Sequence, residues 1–168
     1  MKRNSVRFLL VLLLVFCSAT AIGKGGNPHP KSIMGTLSGE ATFPESENCL
    51  SITGAPWQTA TATVGQMKHL GLTRQYSTHC STLVGMSLVA GESTLVAANG
   101  DEIWMTYTAD LIGPPPVMVF LTDYVIVGGT GRFKNASGNI LAFVYVTFEG
   151  LDDPAWPTDM DFAGSITY

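Results

Sequence analysis

The sequence predicts an all-β fold: a single eight-stranded antiparallel β-barrel. Three observations carry that reading. From Ile33 onward the apolar pattern has period two, the repeat of a half-buried strand, and no segment beyond the amino-terminal apolar run combines a helical apolar period with caps at both ends. Turn-forming residues punctuate the chain at short spacing, as in antiparallel barrels and sandwiches. Finally, the chain closes on DFAGSITY, a strand that needs a partner. Pairing it with 33–43 would join the two ends of the sheet and abolish both edges, which favours the barrel over the sandwich.

The elements follow in order. Lys2, Arg3 and Arg7 precede the apolar run FLLVLLLVF, and Ala19 and Ala21 are spaced as in an A-x-A cleavage site, so residues 1–21 read as a secretory signal peptide. The apolar run falls short of the roughly 20 residues that span a bilayer, and no membrane span is expected after cleavage. Residues 22–32, IGKGGNPHPKS, read as a flexible leader in which His29 is held between two prolines. The barrel domain is 33–168. In GTLSGEATF, Leu37, Ala41 and Phe43 share one face while Thr36, Ser38, Glu40 and Thr42 share the other. QTATATVGQM, LTRQYSTHC and GESTLVAA are strand-like in composition. Asn99-Gly100 then makes a hairpin turn before DEIWMTYTA, because both residues tolerate the positive φ of a type I′ turn. The prolines of GPPP (113–116) end that strand, since proline donates nothing to a ladder. VMVFLTDYVIV and NILAFVYVTFE are the longest strands, LDDPAWPTD reads as a loop, and DFAGSITY is the last strand.

Cleavage after Ala21 removes three of the nine Lys and Arg and none of the thirteen Asp and Glu, so the net charge becomes −7. No nucleic-acid partner is expected and anionic membrane surfaces are disfavoured, since both need a basic cluster. Cleavage also removes Cys17. Cys49 and Cys80 remain as an even pair, expected to form a disulfide in an oxidising compartment.

The glycine-rich stretch GGTGRFKNASG (128–138) fails as a nucleotide site. It lacks Gly-Lys-Ser/Thr, carries Lys134 where the last glycine of G-x-G-x-x-G belongs, and leads into a strand rather than a helix. The expectation is a structural turn, with Gly128, Gly129 and Gly131 bending the chain, Gly131 at positive φ, Arg132 fixing the bend and Phe133 plugging a barrel end. Asn135-Ala136-Ser137 matches the glycosylation acceptor pattern in that turn.

At these residues a family likeness enters. GGTGRF followed by small residues and an apolar strand resembles the signature of the allene oxide cyclase and dirigent barrel superfamily. Lys68 to Gly71, Ala98 to Asp101 and Gly164 to Tyr168 resemble stretches of small secreted bacterial proteins placed near it. The resemblance implies an eight-stranded antiparallel barrel with a central cavity, and an activity that steers a reactive intermediate inside it. It carries over turn residues only, and no catalytic set.

No catalytic motif is legible: there is no G-x-S-x-G elbow. No cofactor or metal site is read either. His79 and Cys80 adjoin and so face opposite ways, and Asp152, Asp153, Asp159 and Asp161 have no EF-hand spacing. The remaining candidates are ligand-binding groups in the cavity of a small barrel. Glu40, Glu102, Asp123 and Tyr145 lie mid-strand among apolar residues, where an inward turn would bury them, although each carboxylate taken alone is expected to face water. His69 joins them because it lies in a resembling stretch. The function expected is a secreted barrel that binds a small apolar ligand or a partner surface. The alternative is a cyclase-like or dirigent-like barrel controlling an intermediate's conformation.

Overall fold

The computed structural model describes residues 29–82, 87–150 and 152–168; the signal peptide and most of the leader read from the sequence lie outside the described residues. Eight strands run in chain order: β1 Lys31–Thr42, β2 Gln58–Met67, β3 Gly71–Ser81, β4 Leu88–Val96, β5 Glu102–Gly113, β6 Val117–Gly129, β7 Ser137–Thr147 and β8 Ala155–Thr167. Each pairs antiparallel with the next, and β1 pairs with β8 from Lys31 opposite Ile166 to Thr42 opposite Ala155. The barrel is therefore closed, with no edge left unpaired.

The Asn99-Gly100 turn joins β4 to β5 as expected, but only Gly100 takes a positive φ, at 86°, so it is not of type I′. Two elements also depart from the sequence reading. A seven-residue helix, α1 (Glu47–Thr53), lies between β1 and β2. It is too short to show a helical period, and only its caps announce it. Ser46 accepts from the Cys49 N–H at one end, and Gly54 takes the left-handed conformation at the other, with φ 77°. In addition, β8 begins at Ala155, inside the expected loop. Pro157 is tolerated there because residues 155–157 pair with β1 alone, the β7 ladder starting only at Thr158.

The barrel interior has two different ends. One is filled by Ile33, Leu95, Ile103, Phe133, Ile140 and Ile166, each with no exposed surface. Here the glycine stretch does its work. As β6 leaves the sheet, Gly128 takes φ 147° and Gly131 φ 50°, and residues 131–133 make one turn of 3-10 helix. The amides of the stretch are engaged internally. Thr130 N–H bonds to the Glu102 carbonyl at 3.0 Å, Arg132 N–H to Asp101 Oδ2 at 3.3 Å and Phe133 N–H to the Thr130 carbonyl at 2.8 Å. A phosphate would find these amides already engaged and would meet the Asp101 carboxylate, so the stretch is a turn and no anion cradle.

Arg132 ties this turn to its neighbours. Its Nη2 donates to the His69 carbonyl at 2.9 Å, and its Nε lies 3.9 Å from Asp101 Oδ2. The Phe133 ring meets the Tyr168 ring edge-on at 4.8 Å, and Lys31 Nζ sits 3.8 Å above Tyr168. All four resembling stretches thus converge on one end of the barrel, which they close.

At the other end, Cys49 of α1 forms a disulfide with Cys80 at the end of β3, the Cα atoms 5.2 Å apart. The bond pins the helix beside the barrel mouth. Cys80 is buried against α1 while its neighbour His79 faces the interior. Among the described residues no helix is long and apolar enough to cross a membrane.

Candidate cavity site

Between the closed end and the mouth the barrel holds a cavity of about 100 Å³. Its two walls differ because the inward residues of the strands differ. Strands β6, β7 and β8 contribute Met118, Phe120, Val144, Val146 and Met160, a mostly apolar wall that also carries Thr122, Tyr124 and Thr158. From β2 and β3 come Thr59, Thr61, Ser77 and His79, a polar one. At the rim, Trp156 packs between Phe43 at 4.3 Å and Phe148 at 4.9 Å, and its Nε1 donates to the Gly150 carbonyl at 3.0 Å. Among the described residues no Asp, Glu, Lys or Arg lines the cavity.

The floor is a satisfied polar network. Gln75, fully buried, accepts from Thr63 Oγ1 at 2.9 Å and donates to Ser93 Oγ at 3.0 Å and to the Tyr124 hydroxyl at 3.3 Å. Those partners come from β2, β4 and β6, so the network braces three strands through one amide and leaves none of its groups unpaired. The Tyr124 ring stacks on Tyr107 at 4.8 Å and on Phe162 at 5.5 Å, joining this layer to the closed end.

Above it sits the chemically distinctive pair. His79 Nδ1 lies 2.8 Å from the Tyr107 hydroxyl, which also reaches the Thr78 carbonyl at 3.3 Å. His79 is 8% exposed and has no carboxylate partner. Burial without a counter-charge disfavours the imidazolium and lowers its pKa to about 4. Burial likewise raises the Tyr107 phenol, with the nearby Tyr124 adding to the effect and a hydrogen bond from Ser77 opposing it. Tyr124 is raised by burial, opposed by its bond to Gln75. At neutral pH the whole cavity is uncharged. It can hold a neutral molecule and hydrogen-bond it, with most of the polar groups on the β2–β3 side.

A pH dependence follows. An unfolded histidine titrates near 6.5, and His79 in the fold near 4. Between those values the unfolded chain binds the extra proton, so stability falls as pH drops through this window and is fully present above it. The loss attributable to His79 reaches about 3 kcal/mol below pH 4, because each pH step between the two values costs about 1.4 kcal/mol. Urea unfolding at stepped pH should show wild type losing more stability than His79→Gln between pH 7 and 4. Parallel curves for the two proteins would refute a buried neutral histidine.

The five residues singled out in the sequence lie elsewhere. Glu40 is exposed on the outside of β1, beside a shallow outer groove that also takes in Tyr76 and Glu92. Asp123 is exposed on the outside of β6, and Tyr145 is half-buried on the outside of β7. Glu102 is half-buried at the start of β5, where its Oε2 accepts from Trp104 Nε1 at 2.8 Å. His69 is exposed in the β2–β3 turn at φ 69°, and only its carbonyl is used, by Arg132. The inward placement considered for them does not hold. The period of two decides it: Ala41 beside Glu40, Thr122 and Tyr124 beside Asp123, and Val144 and Val146 beside Tyr145 all line the cavity.

Neither a protein-family model nor a curated protein matches this sequence. Among solved structures it is similar to the pterocarpan synthase dirigent protein PsPTS1, with 13% identity over 85% of this chain and 97% of that one, at a TM-score of 0.55. It is also similar to the pterocarpan synthase dirigent protein GePTS1, with 14% identity over 86% and 88% of the two chains, at a TM-score of 0.51. At such identities the likeness is one of architecture: the chain shares the eight-stranded barrel fold of the dirigent proteins.

Proposed function

We propose that the protein is a secreted barrel that binds one small, neutral, largely apolar molecule in the mouth cavity. The observation that supports this most directly is the cavity itself, enclosed by barrel strands and without a charged side chain in its described lining. Secretion is supported by the amino-terminal pattern and by the Cys49–Cys80 disulfide. A second reading, control of a reactive intermediate's conformation, is favoured by the fold shared with proteins named as pterocarpan synthases and by the His79–Tyr107 pair inside the cavity. It predicts a changed product ratio when an intermediate reacts in the protein's presence.

The binding reading is tested with ethylbenzene as an apolar one-ring probe. Methyl NMR signals of Met118 and Met160, both in the apolar wall, should shift saturably, while those of Met34 on the outer face should not. Val144→Trp fills the cavity and should abolish the shifts, whereas Glu40→Gln on the outside should preserve them. Absence of any saturable shift, or shifts that survive Val144→Trp, would remove the proposal.

A further inference from the structure

If the cavity binds a small molecule as proposed above, the His79–Tyr107 pair narrows the class of that molecule, and the inference rests on that reading. The Tyr107 hydroxyl has one hydrogen and two acceptors within reach, His79 Nδ1 at 2.8 Å and the Thr78 carbonyl at 3.3 Å. With the hydrogen on the shorter contact, to the more basic atom, Nδ1 accepts and the Thr78 carbonyl is left as the weaker, alternative acceptor. A neutral imidazole that accepts at Nδ1 carries its own hydrogen on Nε2. Among the described residues no hydrogen bond is made by Nε2, on a side chain more than nine-tenths buried that lines the cavity.

We infer that the cavity's ligand is a one-ring molecule bearing a carbonyl-class or ether-class oxygen, and that His79 Nε2–H donates a hydrogen bond to that oxygen while the ring packs on the Met118, Phe120 and Met160 wall. Tyr107 is a positioning residue: it fixes the tautomer and touches the ligand through His79 alone. The uncharged lining fits a neutral ketone, aldehyde, ester or ether and disfavours a carboxylate or an ammonium, whose charge would be stripped of water without a partner.

The experiment compares acetophenone with its near-isostere ethylbenzene by titration of the full mature chain. Acetophenone should bind about tenfold more tightly, because ethylbenzene leaves the buried N–H unpaired. His79→Phe should reduce that preference to about twofold or less while ethylbenzene still binds, and His79→Gln, which keeps a donor, should restore part of it. Nitrogen-15 NMR of the free wild-type protein should show His79 protonated on Nε2, and Tyr107→Phe should mix the tautomers and weaken the preference. That spectrum needs no variant to fold. Equal affinity for the two probes, a preference that survives His79→Phe, or a free protein protonated on Nδ1 would each overturn the inference while leaving apolar binding intact. Failure of both probes to bind would overturn the binding reading and this inference together.

Discussion

Phe133→Ala is expected to lower the unfolding free energy by about 3–5 kcal/mol, the cost of deleting a fully buried aromatic side chain and leaving a void. The ring has no exposed surface and belongs to the same core as the isoleucines of the closed end. Its edge-on contact with Tyr168 and the Arg132 guanidinium 4.6 Å above it are lost with it. Phe133→Leu keeps most of the volume and should cost far less. Urea unfolding monitored by tryptophan fluorescence measures both. Because the cavity lies at the opposite end, the folded fraction of Phe133→Ala should still bind ethylbenzene. Near-normal stability of the alanine variant would show that the turn does not plug the barrel.

Replacing Cys49 and Cys80 together by alanine should cost about 3–4 kcal/mol, the loop-closure entropy released when a bridge across 31 positions is removed. Alanine suits the test because both sulfurs are buried, and a serine hydroxyl there would lack a partner. The bridge also anchors the end of β3, one residue from His79, so the acetophenone preference should weaken as well. Protein recovered outside the cell should begin at Ile22 by intact mass, and neither cysteine should alkylate until reduced. Stoichiometric labelling without reduction, or a full-length chain retained in the cytoplasm, contradicts this account.

The architecture was legible because most strands obey simple alternation and the terminal strand demanded a partner. The glycine turn was legible from the same local chemistry. The site was not, and β3 shows why. Its apolar residues Leu72 and Tyr76 are half-exposed outside, at 50% and 53%, whereas Thr73, Gln75, Ser77 and His79 face in. The usual rule of apolar inside and polar outside reads this strand upside down. The inversion is stable only because Gln75 finds Thr63, Ser93 and Tyr124 on three other strands, partners invisible until the barrel closes. In β6 and β7 both faces are apolar, with Leu121, Leu141 and Phe143 exposed outside, so hydrophobicity there does not choose a face. Asp123 and Tyr145 therefore looked like cavity residues when the positions beside them were. His79 and Tyr107 carried no motif. Their pairing joins β3 to β5 across 28 positions.

The ladder between β1 and β8 joins the two strands farthest apart in the chain, and that fixes the order in which the molecule can be made. Local hairpins such as β4–β5 and β6–β7 can form as the chain emerges, but closure must wait for β8 and bears the entropy of the longest loop in the barrel. Until then β1 and β7 each present a bare row of amides and carbonyls, and β7 adds the apolar surface of Leu141 and Phe143. The unclosed chain is the species most prone to stick to its neighbours. Tyr168, which covers Phe133, follows directly on β8, so the closed end is sealed only after every strand has been synthesised. A ribosome that stops short of β8 releases an open sheet rather than a slightly shorter barrel.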